Sequence, residues 1–121
     1  MSMDFFDSTS EQQIESFTKS AREMLAGYGL NEVEVMCINY EFNATFSVVT
    51  GSGDKYALRI NVNSTRTLGN IRGEIEFVNF VSRIPGIKVA RPVANSQDSY
   101  ISSIVHPESG RTLQGILYTW L

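Results

Sequence analysis

The sequence predicts an α+β fold: an antiparallel sheet of about five strands, a helix between the third and fourth strands, and an additional N-terminal helix. Two stretches with helical spacing of apolar residues, and alternating apolar runs between and after them, predict this arrangement. The 121 residues, 42% hydrophobic and 19% charged, suffice for a single domain over residues 1–121 with one modest core.

The first helix is predicted to begin near residues 8–10, which are Ser, Thr and Ser. Glu or Gln follows three positions later at residues 11–13, so any of three pairs could form a capping box. Apolar residues then keep helical spacing from Ile14 to Tyr28, and Gly27 and Gly29 supply the end. The apolar stripe of this helix of about 16 residues is more typical of a core than of a partner-binding face.

Three strands follow, at residues 33–39, 45–50 and 55–61. Residues 40–44 separate the first strand from the second. Gly51-Ser52-Gly53-Asp54 is a turn, so residues 45–61 are predicted to form a hairpin. The second helix is predicted from Asn70 to about Arg83, ended by the following Pro-Gly pair.

The last third of the chain is predicted to be extended. Pro92 restricts residues 89–94 to an edge or short strand. Residues 100–105 form a further strand between turns at 95–99 and 106–110, and His106 is interpreted as a loop residue. Residues 113–121 are apolar and predict a central strand.

Charge and composition argue against several function classes. The net charge is −3 and the sequence has no block of Lys and Arg, so neither nucleic acid nor an acidic membrane surface is an expected partner. A single cysteine excludes an internal disulfide framework and a cysteine-rich metal site. No signal peptide or spanning segment is visible, and we expect a cytoplasmic protein.

Arg59 is the most informative single residue. Alternation puts it on one face of the third strand with Ala57 and Asn61, and a cation in mid-strand should meet water, an anionic ligand or a carboxylate. Glu74 lies on the apolar stripe of the second helix and could be its partner. Such a pair can orient the guanidinium toward a phosphate, but spacing alone favours a structural ion pair or an Arg that snorkels at a sheet edge.

Five segments, in order, resemble parts of one known lobe. Residues 43–48 resemble its phosphate-covering loop and second strand, and Ala57-Leu58-Arg59 matches the Ala-Ile-Lys pattern of its third strand. Glu74 resembles its helix glutamate, residues 89–93 the next segment, and residues 117–121 the last strand before the hinge. The chain therefore resembles the N-terminal lobe of the aminoglycoside phosphotransferase family, with its homoserine-kinase and choline-kinase-like relatives, which has a protein-kinase-like fold.

The resemblance implies a nucleotide site built by several elements. Arg59 takes the position of the lysine that binds the α- and β-phosphates of ATP, and Glu74 that of its ion-pair partner. Ala57 and Phe46 are expected to cover the adenine. The remaining implied residues are Glu41, Phe42 and Asn43 in the loop over the phosphates, and Tyr118, Thr119, Trp120 and Leu121 at the hinge, whose backbone would bind the adenine edge.

The sequence also departs from this family. Arginine stands in place of the lysine, and the loop at residues 39–44 has no glycine, so by itself it reads as a hairpin loop. The chain supplies no catalytic or metal-binding Asp, so we expect Mg²⁺ to be held by a missing C-terminal lobe.

The expected function is therefore that of an ATP-binding lobe, truncated at the hinge and not catalytic alone. The parent would be a small-molecule kinase acting on a hydroxyl of an aminoglycoside, amino alcohol, homoserine or sugar. The alternatives are a stand-alone α+β interaction module or a pseudokinase fragment without nucleotide binding. The apolar end at residues 116–121 could instead be a terminal strand tied into the sheet. An exposed hinge and cleft face could also support a homodimer.

Overall fold

The computed structural model describes residues 7–40, 43–61, 75, 85 and 90–120. Within these residues the chain forms one continuous helix and six strands. The elements are α1 (Ser10–Ala26), β1 (Val33–Tyr40), β2 (Asn43–Thr50), β3 (Lys55–Asn61), β4 (Pro92–Val93), β5 (Ser102–Val105) and β6 (Thr112–Thr119). The α+β class is confirmed, with six strands instead of about five.

All strands pair antiparallel in one sheet. The order is β1-β2-β3-β6, and β4 and β5 share the remaining edge of β6. The apolar strand β6 is therefore central, as predicted, and Pro92 lies in a two-residue edge strand. The predicted helix at residues 70–83 lies outside the described residues except for Ile75, which is helical and buried.

Helix α1 begins where the sequence indicates. Thr9 is the N-cap, and its side chain and that of Gln12 form a reciprocal capping box. The helix ends at Ala26, and Gly27 caps it. The middle of its apolar stripe, which includes Phe17 and Leu25, is buried against the sheet, whereas Ile14 and Tyr28 at its ends are half-buried. Burial of each such side chain stabilises the fold by about 1.5–3 kcal/mol, so α1 is held mainly by this packing.

The turns fix the register of the first three strands. Gly53 has a φ of 91°, which a residue with a Cβ rarely adopts, and it closes the tight turn between β2 and β3. The connection between β1 and β2 is shorter than predicted, because Tyr40 already pairs with Ala44. Strand β2 consequently begins at Asn43, two residues before the predicted start at Thr45.

Gly115 lies in β6 under Met24 of α1. A Cβ at this position would lie 2.5 Å from Met24 Sδ, and Met24 is itself 2% exposed. We expect Gly115→Ala to lower the free energy of unfolding by about 1–2 kcal/mol, because Met24 must shift inside a packed core. Urea denaturation would measure the loss. Gly51→Ala is the control, since nothing lies within 4 Å of its added methyl group, and equal losses at both positions would contradict the prediction.

Candidate functional site

The two faces of the sheet have different chemistry. On the first face, Phe46, Leu58 and Leu117 are fully buried under α1 and form the core. The other face carries Ala57 and Arg59 of β3, as alternation predicts. We call this second surface the Arg59 face; its residues on the three central strands are Asn43, Thr45, Ser47, Ala57, Arg59, Asn61, Gln114, Ile116 and Tyr118.

Arg59 lies in the middle of this face. It is half-buried, and its backbone pairs with Thr45 on one side and Ile116 on the other. A guanidinium in this position cannot reach bulk water as freely as one at a sheet edge. The edge-Arg alternative therefore does not apply, since β3 is flanked on both sides. Glu74 lies outside the described residues, so its pairing with Arg59 stays a prediction.

A row of smaller side chains lies next to Arg59. Ser47, Ala57 and Tyr118 are direct neighbours across β2, β3 and β6. Ser47 is 6% exposed and was not singled out from the sequence, although its position opposite Ala57 follows once the hairpin register is known. Ala57 is partly exposed whereas Ser47 is nearly covered, so the exposed part of this row lies at Ala57 beside Tyr118, where a small side chain next to an aromatic ring suits a flat ligand ring.

Phe46 does not lie beside Ala57 and Tyr118 on the Arg59 face. It pairs with Leu58, is fully buried, and points to the α1 side of the sheet. Successive residues of a strand face opposite sides, so the neighbour Ser47 occupies the Arg59 face instead. The structure thus separates Phe46 from Ala57 and Arg59.

The predicted hinge lies at the far end of β6. Thr119 N donates to Arg91 O at 2.9 Å, and Arg91 N donates to Thr119 Oγ1 at 2.9 Å. The backbone N–H of Thr119 is therefore already hydrogen-bonded to Arg91, the residue before β4. Trp120, the next residue, is 40% exposed, and Lys55 Nζ lies 3.9 Å from the centroid of its ring. Leu121 lies outside the described residues.

Polar side chains mark the opposite end of the face. Asn43 lies directly across from Asn61, and Gln114 is the next neighbour in the row. Within the described residues, the buried Oδ1 atoms of both asparagines have no hydrogen-bond partner, which is costly for a carbonyl oxygen. Glu41 and Phe42, the preceding loop residues, lie outside the described residues.

His106 is a buried polar residue that the sequence did not reveal as such. Its turn at residues 106–110 is confirmed, but the ring is fully buried and stacks on Phe17 with 4.7 Å between ring centroids. Ser109 N–H donates to Nδ1 at 3.2 Å, so Nε2 carries the proton and faces Ser16 Oγ at 2.7 Å and Glu108 Oε2 at 3.3 Å.

The environment of His106 favours a neutral ring. Burial lowers the pKa of the imidazole from 6.5, and the Glu108 carboxylate opposes this only in part. The residue lies on the α1 side of the sheet, with Phe17 and Ser16 of the helix. It therefore ties α1 to the β5–β6 turn and is separate from the Arg59 face.

The sheet order, the central β6 and the face that carries Arg59 define the class of fold: a kinase-like N-terminal lobe. Two solved structures share it. One is a microcompartment-associated aminopropanol kinase, with a TM-score of 0.74, 14% identity, and coverage of 85% of this chain and 31% of that one. The other is an amicoumacin kinase in complex with AMP-PNP, Ca²⁺ and Ami, with a TM-score of 0.68, 19% identity, and coverage of 93% and 34%.

The similarity is confined to structure and to part of these kinases. The chain spans about a third of the length of the two solved structures that it matches. No protein-family model matches the sequence, and no curated protein matches it. In the described part of the chain, no helix is long and apolar enough to cross a membrane.

Proposed function

We propose that this chain is the nucleotide-binding lobe of an ATP-dependent small-molecule phosphotransferase related to the aminoglycoside phosphotransferase family. The observation that carries the proposal is Arg59, a half-buried cation in the middle of the sheet. Ala57 lies two residues before it on β3 and pairs with Ser47 on β2, so two small side chains lie next to the cation. The kinase-like fold supports it. So does the complex of one structural neighbour, the amicoumacin kinase, with AMP-PNP.

In this proposal each part of the Arg59 face has one task. The base lies over Ala57 and Ser47, and the guanidinium of Arg59 binds the α- and β-phosphates through charge-assisted hydrogen bonds. Phosphoryl transfer depends mainly on positioning and on neutralising phosphate charge, so a fixed cation contributes to both. Glu74 would orient Arg59, and residues 41–43 would lie over the phosphates.

The chemistry itself would belong to a second lobe. Among the described residues no group of three His, Cys, Asp or Glu side chains could hold a metal ion. Bound Mg²⁺ supplies charge neutralisation at the transferring phosphate. We assign its ligands and the catalytic base to the second lobe, so this chain alone would not catalyse transfer.

The whole enzyme would act on a small-molecule acceptor. The acceptor would be a hydroxyl of an aminoglycoside, amino alcohol, homoserine or sugar, and the enzyme would work in the cytoplasm, where ATP is available. Two copies of the isolated lobe could associate through the exposed Trp120 end, which sedimentation at rising concentration would reveal.

An ATP titration followed by NMR tests nucleotide binding directly. We expect amide shifts at Ser47, Ala57 and Arg59, with an affinity on the order of millimolar because half of the site is missing. The amides of Ser20 and Ala21 on the buried side of α1 are the internal control and should stay unchanged. Absence of shifts along β2 and β3 would support the interaction module without nucleotide binding.

A further inference from the structure

A lysine and a tryptophan continue the Arg59 face beyond Ala57. Lys55 precedes Ala57 by two residues and Trp120 follows Tyr118 by two, so both belong to this side of the sheet. Their contact confirms the placement, since Lys55 Nζ lies 3.9 Å from the centre of the indole ring. The chain contains one tryptophan, and it is 40% exposed at this position.

The contact favours one orientation of the indole. An ammonium over an aromatic face is attracted by the ring quadrupole, and here it covers one side of Trp120. Trp120 is 40% exposed beside this contact, so part of its ring is accessible to another group. A partly exposed tryptophan beside a strip of small residues has the properties of a stacking surface, because its ring is large, rigid and loses little entropy on binding.

The spacing on β3 fits a ligand with a flat end and an anionic end. Alternate residues of a strand are about 6.6 Å apart, so Ala57 lies between Lys55 and Arg59 at roughly that distance from each. A base over Ala57 would reach Trp120 on one side while the phosphates extend toward Arg59 on the other.

We propose that the side chain of Trp120, oriented by Lys55, stacks on the purine base of the nucleotide and makes the site selective for purines. The inference rests on the proposed function and adds a side-chain role to a segment that would otherwise contribute only backbone groups. A purine covers more of the indole than the single ring of a pyrimidine does. Trp120 is thus a specificity residue, and Lys55 is a positioning residue.

Three ligands separate the base from the phosphates: ATP, UTP and inorganic tripolyphosphate. The indole Nε1–H gives a single NMR signal, and indole fluorescence reports the same residue. ATP should shift the Nε1–H signal and change the emission, and UTP should do so less. Tripolyphosphate should shift the Arg59 amide while leaving Trp120 unchanged.

Variants of the two residues complete the test. Trp120→Leu should weaken ATP binding by about tenfold, the usual effect of losing one base stack, and leave tripolyphosphate binding unchanged. Tyr100→Leu is the matched control, because Tyr100 is also 40% exposed but lies outside the Arg59 face. Lys55→Met should weaken ATP binding less than Trp120→Leu does and shift the indole signal of the free protein.

Failure of the stacking role can be distinguished from failure of the proposed function. ATP shifts at Arg59 with an unchanged Trp120 signal would overturn the stacking role and leave the proposed function standing. Loss of tripolyphosphate binding in Lys55→Met would make Lys55 a phosphate contact and overturn its positioning role. No shift with any of the three ligands would overturn both this inference and the proposed function.

Discussion

Replacement of Arg59 by Ala is expected to weaken ATP binding by roughly 10- to 100-fold, because hydrogen bonds to charged groups contribute about 1.5–3 kcal/mol. The expectation follows from the position of the residue, half-buried between Thr45 and Ile116 in the middle of the sheet. Amide shifts of the neighbouring residues in an ATP titration would measure the loss, since they report binding even when saturation is not reached.

Two further variants make the Arg59 result interpretable. Arg59→Lys restores the residue type that the resembling family uses, and it should keep part of the affinity, since an ammonium lacks the planar fork of the guanidinium. Arg22→Ala removes the same charge from α1, where Arg22 donates to Val33 O, and should leave ATP binding unchanged.

The stability of each Arg59 variant has to be measured together with its affinity for ATP. If Arg59→Ala unfolds, Arg59→Met keeps most of the apolar stem and allows the affinity to be measured in a folded protein. A folded variant that binds ATP as tightly as the wild type would identify Arg59 as a structural cation. That outcome would remove the main support for the nucleotide site.

The β3 part of the candidate site could be predicted because strand alternation needs no information from elsewhere. Leu58 and Ile60 are apolar, whereas Ala57 is small and Arg59 is charged. The alternation therefore identifies Leu58 and Ile60 as the buried face, and both are fully buried in the structure. The neighbour on β2 that the resemblance implies is Phe46. Phe46 and Val48 instead lie in the core under α1, and the register of the hairpin places Ser47 opposite Ala57.

The first helix was predictable for a similar local reason. Its cap, its apolar spacing and its final glycines all lie within the segment itself, and the observed capping box uses two of the proposed residues. His106 had no such signal. Its ring is buried by Phe17, and one of its hydrogen-bond partners, Ser16, is 90 positions away in sequence. A contact of this kind arises only when α1 docks on the sheet.

His106 is expected to have the largest effect on stability. His106→Ala removes a ring stacked on Phe17 and leaves Ser16 and the Ser109 amide without a partner, which together should cost about 3 kcal/mol of unfolding free energy. His106→Phe keeps the stacking and loses the hydrogen bonds, so it should cost less. Equal losses in the two variants, measured by urea denaturation, would show that the hydrogen bonds carry most of the effect.

The same residue should make stability depend on pH. The pKa of His106 is lowered in the folded protein, so below about 6.5 the unfolded chain takes up a proton that the folded protein does not. The unfolding free energy should therefore be fully present above that pH, fall as the pH drops from 6.5 toward the lowered pKa, and then level off. His106 is the sole histidine of the chain and ordinary carboxylates titrate near pH 4, which isolates its contribution between pH 7 and 5.5. In His106→Phe the slope over this interval should disappear, and its persistence there would assign the pH dependence to other groups.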